Sequence, residues 1–130
     1  MTMKNLISQL EALQEKQTWL RKGLKDWLEI WAENTLEIEG EYLAICGLSD
    51  YMAVDIDYYI VPGSSELYTG CCQAVSHQGT DSLDIISIDS LDINNVRLIV
   101  QHIPKRIVQY ANTIQSDIKK IDDMIKALLP

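Results

Sequence analysis

Cysteine and histidine, the side chains that most often act as nucleophiles or bind zinc, come closest together at Cys71, Cys72 and His77. A thiolate beside an imidazole can attack a carbonyl carbon, and both groups are zinc ligands. The spacing lacks a CxxC pair, so a zinc site would need a fourth ligand from Cys46 or His102. Because free cysteines are among the most buried residue types, we interpret the pair as apolar strand residues and His77 as an exposed loop residue. We therefore expect no metal, no cofactor and no enzyme; an enzyme or metal protein that uses this group is an alternative.

Carboxylates are the second kind of side chain that could do chemistry, and they form two groups. The first group lacks the spacing and the turn glycine of a calcium loop; its members are Asp81, Asp84, Asp89 and Asp92. The second group alternates along the chain, as side chains on one strand face do, and could supply paired acids and bases. Its members are Glu37, Glu39, Glu41, Asp55 and Asp57. Nothing else supports a sugar site, so we interpret both groups as surface charge.

The charge of the chain is separated along the sequence. The stretch from Asp26 to Val96 contains fourteen carboxylates and no Lys or Arg, whereas residues 1–25 and 97–130 each carry a net charge of +3. At the chain-wide frequency of 11 basic residues in 130, about six would be expected in this stretch. Self-repulsion destabilises a compact domain, so a need for solubility does not explain the complete absence of cations. Phosphate recognition needs clustered Lys and Arg, which argues against direct nucleic-acid binding and against a membrane partner. The pattern favours a protein partner with a basic surface.

Length and composition indicate a globular chain, since apolar residues make up 47 % and charged residues 23 % of its 130 residues. This length suits a single domain over residues 1–130. The first 15 residues lack the apolar core of a signal peptide, and no apolar run is long enough to span a membrane. Three cysteines, an odd number, make a poor disulfide framework. We therefore expect a cytoplasmic protein, of a bacterium or of an infected host cell.

Two long helices are predicted at the ends of the chain, over residues 3–34 and 94–129. Both follow the 4-3 spacing of a coiled-coil seam, with one polar member each. The seam of the first helix is Leu6, Leu10, Leu13, Gln17, Leu20, Leu24, Trp27 and Trp31. The seam of the second is Val96, Val100, Ile103, Ile107, Tyr110, Ile114, Asp117, Ile121, Met124 and Leu128.

Antiparallel pairing of the two seams would place Gln17 and Asp117 in one layer, where the amide can donate to the carboxylate. The same seams could instead join two chains, so we expect a homo-oligomer, with a dimer favoured. Asn94 or Asn95 could cap the second helix, and Pro104 is expected to kink it. Val96, Ile99 and Val100 are β-branched, so residues 96–100 could alternatively form a strand, but the unbroken heptad favours the helix.

Between the helices, shorter patterns predict a four-stranded antiparallel meander over residues 36–90 and therefore an α+β fold. The clearest strand is residues 51–61, where the side chains of one face are apolar. Turn residues flank it at 47–50 and at 62–65. The connections are short, as expected between antiparallel neighbours. The other strands are expected at 36–48, 67–76 and 83–89, with a loop at 77–81.

These elements would present the carboxylates on one acidic sheet, as in a non-enzymatic interaction protein. We expect this region to engage a basic surface that normally holds nucleic acid, with spaced carboxylates imitating a phosphate track. In size and acidity the chain is similar to small viral inhibitors of host defence and to type III secretion chaperones, a compositional similarity that assigns no role to any residue. The alternative is an acidic chaperone or oligomeric scaffold that binds through apolar helix or sheet surfaces.

The residues expected to carry these contacts fall into two sets. The partner-binding set is Glu37, Glu39, Glu41, Asp55, Asp57, Tyr59, Asp81, Asp84 and Asp89, with Tyr59 expected to be exposed beside Asp55 and Asp57. The helix-seam and oligomer set is Leu10, Gln17, Leu24, Trp27, Trp31, Tyr110, Asp117 and Ile121.

Overall fold

The computed structural model describes the backbone of residues 2–49 and 55–129, and their side chains except at 46–49, 55–56 and 72–73. The long helices are α1 (Met3–Asn34) and α3 (Ile93–Leu128), and a short helix, α2, covers Cys72–Gln78. The strands are β1 (Leu43–Ser49), β2 (Asp55–Ile60), β3 (Leu67–Cys71) and β4 (Asp84–Ile86). Two single turns of 3₁₀ helix cover Gly79–Ser82 and Ile88–Ser90.

The predicted α+β fold is confirmed. The four strands form one antiparallel sheet in the order β1-β2-β3-β4, as expected for a meander. Leu43 pairs with Ile60, Ile60 with Leu67, and Leu67 with Ile86, so one row of apolar side chains crosses the whole sheet. Among the helices that the structure describes, none combines the length and the apolar character needed to cross a bilayer.

Several predicted boundaries between the helices are wrong. The strand expected at 67–76 ends at Cys71, and α2 follows at once, stopped by Gly79 with φ 68°. A helix forms there because Val75 can bury itself beside Gly70, where a side chain would lie 3.0 Å from the valine. Gly47 to Ser49 belong to β1 and are not a turn. Residues 51–54, the start of the clearest predicted strand, lie outside the described residues.

Two further boundaries move for local reasons. The first strand begins at Leu43, not at residue 36, because a turn with Gly40 at φ 77° precedes it. The loop expected at 77–81 is the end of α2 and a 3₁₀ turn, and the fourth strand is shortened to residues 84–86.

The start of α3 also differs from the prediction. Its cap is Asp92, whose carboxylate accepts the backbone N–H of Asn94 at 2.7 Å, so neither Asn94 nor Asn95 is the cap. Residues 96–100 are helical, which rules out the alternative strand. The helix continues through Pro104, which has no N–H to donate to the carbonyl of Val100.

The main core lies between one face of the sheet and the halves of α1 and α3 nearest to it. Alternate residues of a strand point to opposite faces, so Tyr58 and Ile60 face the helices and Tyr59 faces away. The buried residues of this core are Leu24, Leu28, Trp31, Leu43, Ile45, Tyr58, Ile60, Leu67, Ile88, Leu91, Val96, Ile99 and Ile103. Tyr59 and Val75 are buried on the opposite face.

The seam residues of the two long helices are buried only near the sheet. In the distal halves, residues 3–19 and 111–128, Leu10 is 55 % exposed and Met124 is 65 % exposed. No hydrogen bond joins Gln17 to Asp117, two residues within the described part of the chain. The predicted polar layer is therefore not formed within one chain, and the predicted pairing does not bury the distal seams.

The end of α1 is fixed to the turn between β2 and β3. Trp31 Nε1 donates to the carbonyl of Val61 at 2.9 Å, and the Thr35 hydroxyl accepts the N–H of Gly63 at 2.7 Å. Gly63 has φ 82°, and a Cβ there would lie 2.8 Å from the backbone nitrogen of Glu37. The glycine thus allows both the turn and the close approach of the next segment.

We expect Gly63→Ala to lower the free energy of unfolding by about 2 kcal/mol, because strain at positive φ and a backbone clash act together. Gly40→Ala is the matched control, since Gly40 has φ 77° but nothing within 4 Å of its Cβ position; it should cost about 1 kcal/mol. Urea denaturation measures both values. Equal losses would show that the close approach to Glu37 contributes nothing.

Candidate functional site

Three carboxylates of the partner-binding set, those of Glu37, Glu39 and Glu41, line one cleft, which we call the acidic cleft. Its volume is about 560 Å³. One wall is the turn that connects α1 to β1, the floor comes from β3 and the residue after β2, and the other wall belongs to the segment between α2 and β4. The lining residues are Glu37, Ile38, Glu39, Gly40, Glu41, Val61, Tyr68, Thr80 and Leu83.

The first wall presents three carboxylates within five residues. The carbonyl of Ile38 accepts the N–H of Glu41 at 3.1 Å, which closes a tight turn through Gly40. Glu37 and Glu39 are exposed, whereas Glu41 is half-buried. Their alternating spacing therefore belongs to a turn, and the predicted strand at these residues is not formed.

The opposite wall is formed by Thr80 and Leu83, from a distant part of the sequence. Asp81 and Asp84 directly follow the lining residues Thr80 and Leu83, and both are exposed. The Ser82 hydroxyl donates to the carbonyl of Gly79 at 2.8 Å and holds the 3₁₀ turn. The carboxylates that line the cleft therefore belong to residues 37–41, whereas Asp84 shares a strand face with Ile86, which packs on the helix side of the sheet.

Glu41 connects the cleft to α3. Its carboxylate accepts the Tyr110 hydroxyl at 2.6 Å. Burial, followed by this hydrogen bond and by the negative charge of Glu41, raises the pKa of Tyr110 above its ordinary value. On the next turn of α3, Arg106 Nε donates to the carbonyl of Ala44 at 2.7 Å. Two side chains of α3 therefore hold the segment that leads into β1.

The cations of the described residues do not neutralise the cleft. Three ion pairs occur in the described part of the chain, and each takes its cation from a long helix. They are Lys22 with Asp26, Lys25 with Asp89, and Lys126 with Asp122. Within residues 2–49 and 55–129, no Lys or Arg nitrogen lies within 4.0 Å of the carboxylates of Glu37, Glu39, Asp81 and Asp84. Their negative charge faces solvent.

The prediction for Tyr59 is wrong. It is only 2 % exposed. Its hydroxyl donates to Asp57 at 3.2 Å, and its ring packs edge-on against Tyr42 with 5.6 Å between ring centroids. The second face of the sheet is covered here, so Tyr59 cannot contact a partner. The tyrosine that does line the cleft is Tyr68, from the neighbouring strand.

Two other members of the partner-binding set lie elsewhere. Asp89 is exposed on the helix side of the sheet, where both of its carboxylate oxygens accept from Lys25 at 2.8 Å. The backbone of Asp55 pairs with Ser49, but its side chain is outside the described set. Asp57 is half-buried.

The seam set divides between core and surface. Leu24 and Trp31 are buried, and Trp27 stacks on Trp31 with 5.8 Å between ring centroids. Leu10 and Ile121 are exposed in the distal halves. Gln17, Asp117 and Tyr110 are half-buried.

The cysteine and histidine group is not a cluster in the described structure. Cys71 is a free, half-buried thiol at the end of β3, and His77 is exposed on α2. The side chains of Cys46 and Cys72 lie outside the described residues. Where side chains are described, no three His, Cys, Asp or Glu residues come together as metal ligands.

The uncharged residues of the cleft were not predicted from the sequence. Tyr68, Thr80 and Leu83 shape its floor and far wall, and Tyr110 holds Glu41. The position of Tyr110 on the second helical seam indicated burial but could not indicate its carboxylate partner.

No protein-family model, curated protein or solved structure matches this chain.

We expect the Tyr110–Glu41 bond to make stability depend on alkaline pH. The folded chain keeps the phenolic proton at pH values where the unfolded chain releases it, above the ordinary tyrosine pKa of about 10. The contribution of this bond to the free energy of unfolding should therefore be constant below pH 10 and fall as the pH rises further. Tyr110→Phe should cost about 1 kcal/mol at pH 7 and flatten the decline above pH 10. Urea denaturation at pH 7 and at alkaline pH tests this.

Glu41→Gln supplies the comparison, because it keeps an acceptor for the hydroxyl but removes the charge. We expect its alkaline decline to lie between those of the wild type and Tyr110→Phe. An identical decline in all three chains would contradict the role of this bond.

Proposed function

We propose that the chain is a non-enzymatic protein-interaction protein whose acidic cleft engages a basic surface of a protein partner. The observation that supports the proposal is the grouping of Glu37, Glu39 and Glu41 along one wall of an open cleft, with Asp81 and Asp84 next in sequence to Thr80 and Leu83 of the opposite wall. Four of them have no cation within 4.0 Å among the described residues.

Like charges grouped at the cleft favour the binding of a basic partner. Carboxylates held close together repel one another and destabilise the compact chain, and a cationic partner relieves this repulsion. Charges at an open cleft act mainly on the rate of association and on the choice of partner. Spaced carboxylates resemble a phosphate track, so the partner class that fits best has a groove built for nucleic acid. A cytoplasmic inhibitor of a nucleic-acid-handling protein, as in anti-defence, is the specific form of this proposal.

The first experiment is affinity purification from a lysate of the native source or host, with elution by rising salt. Basic nucleic-acid-handling proteins should bind and elute early, because the Debye length falls from about 10 Å at 0.1 M salt to about 3 Å at 1 M. We expect a variant with four neutral side chains at the cleft to bind these proteins tenfold to a hundredfold more weakly. Its substitutions are Glu37→Gln, Glu39→Gln, Asp81→Asn and Asp84→Asn.

A second variant controls for net charge. It makes the same types of substitution at four exposed carboxylates of the distal helix halves, and should bind as the wild type does. Its substitutions are Glu11→Gln, Glu15→Gln, Asp122→Asn and Asp123→Asn. Equal loss in both variants would mean that total charge, and not the cleft, attracts the partner. Salt-resistant capture by all three chains would contradict the proposal.

The exposed distal seams favour a second candidate function, an acidic chaperone or oligomeric scaffold. Leu6, Leu10 and Leu13 lie on one seam, with Ile121 and Met124 on the other, and all are at least 40 % exposed. Apolar rows of this kind are docking surfaces for partner helices or peptides.

The scaffold function predicts binding that tolerates salt and needs the apolar rows. Leu10→Gln with Ile121→Gln should abolish capture of salt-resistant partners, while changing the free energy of unfolding by only about 0.5 kcal/mol, because both side chains are exposed. Affinity purification at high salt and urea denaturation measure the two effects. Unchanged capture would remove this candidate.

A further inference from the structure

A second row of residues follows α1 on a face separate from the seam. Its members have the 4-3 spacing of a helical contact face, and we call it the Trp19 row: Ala12, Lys16, Trp19, Gly23, Asp26 and Ile30. Each member lies one residue before a seam residue, so with 3.6 residues per turn the row lies roughly 100° around the helix from the seam. Every member is exposed, and Trp19 and Ile30 are 58 % and 57 % exposed.

The row borders an apolar groove between α1 and α3. The groove has a volume of about 300 Å³ and contains Trp19 and Gly23 together with Leu20, Leu24, Trp27, Val100, Ile103 and Pro104. Its volume is ten times the ~30 Å³ that one water occupies in the liquid, so it can receive the nine ring atoms of an indole.

Neither the backbone conformation nor a contact within the described chain requires glycine at position 23. Glycine is the least favourable helix-interior residue after proline. Gly23 is not among the glycines with positive φ, and nothing lies within 4 Å of its Cβ position. The missing side chain therefore leaves an open hole one helical turn from an exposed tryptophan.

We propose that the Trp19 row is the contact between two copies of this chain, packed as antiparallel α1 helices about a two-fold axis level with Arg21. In that arrangement Trp19 of each copy inserts over Gly23 of the other and fills the groove. The same axis places Ala12 opposite Ile30, and Lys16 opposite Asp26, whose Oδ2 accepts from Lys22 at 2.9 Å within the chain and whose other oxygen is left for the second copy's lysine. Each of the three pairs is complementary, in size or in charge, and each occurs twice because the contact is two-fold symmetric.

A second copy fits this face better than an unrelated partner does. When two identical rows pack antiparallel, each residue must be compatible with the residue that lies opposite it in the other copy. For the Trp19 row, one position of the two-fold axis satisfies this at all six positions. In a pair of antiparallel helices, an a position of one helix lies opposite a d position of the other. The three proposed pairs have this arrangement. The seam of α1 has less surface available for a contact between copies, because its members Leu24 and Trp31 are already buried within the chain.

The first test fills the hole. Gly23→Leu replaces glycine with a strong helix former at an exposed site, so the chain should unfold at a higher temperature than the wild type. The dimer dissociation constant, measured by sedimentation equilibrium, should nevertheless rise at least tenfold, because the partner's indole loses its place. Val108→Gln alters an exposed apolar residue of α3 outside both the row and the seams, and should leave the dissociation constant unchanged.

The second test exchanges charges across the proposed axis. Lys16→Glu places a carboxylate opposite Asp26 of the second copy at two positions, and should raise the dissociation constant at least tenfold. Lys16→Glu combined with Asp26→Lys restores opposite charges and should return it to within threefold of the wild type. A structural defect would not be rescued in this way.

Three results would overturn the proposal. One is a wild-type chain that remains monomeric at about 100 μM, a concentration that a dimer of even modest affinity would populate. Another is a dimer that both Gly23→Leu and Lys16→Glu leave intact. The third is a dimer lost on seam substitution but insensitive to the charge exchange, which would assign the contact to the distal seams. None of these results bears on the acidic cleft, whose test is binding of a basic partner.

Discussion

The position of almost every other element depends on how the end of α1 is attached to the turn between β2 and β3. An indole donor on Trp31 and the hydroxyl of Thr35 hold that turn from the helix side. Gly63 then lets the chain pass close to Glu37. This attachment fixes the direction of residues 37–41, and so it determines both the start of β1 and one wall of the acidic cleft. The helix is therefore a positioning element for the site as well as a part of the core.

The separation of charge along the sequence becomes a separation in space. The three ion pairs of the described residues take their cations from α1 and α3. The segments that form the acidic cleft lack such partners among the described residues. An exposed ion pair contributes little stability, so the arrangement costs the fold little while it leaves the cleft strongly negative.

Long periodic patterns made the two helices and the α+β class predictable, because each helix repeats its apolar positions over more than thirty residues, although few of these positions are buried. Short elements were not predictable in the same way. The seven residues of α2 have one clearly buried side chain, Val75, too little to show a helical period. Tyr59 was expected to be exposed to solvent, but the face of the sheet opposite the long helices, on which it lies, is covered by segments distant in sequence. The meeting of residues 37–41 with Thr80 and Leu83 is likewise a property of tertiary packing, which local patterns do not contain.

The dual role of Glu41 makes the cleft and α3 thermodynamically coupled. The same carboxylate lines the cleft and accepts the hydroxyl of Tyr110. The Tyr110 hydroxyl bonds to one of the two carboxylate oxygens, so a substitution on α3 that moves Tyr110 is expected to move this carboxylate, and by reciprocity a change at the carboxylate is expected to act on Tyr110. One hydrogen bond thus links the long C-terminal helix to a carboxylate of the acidic cleft.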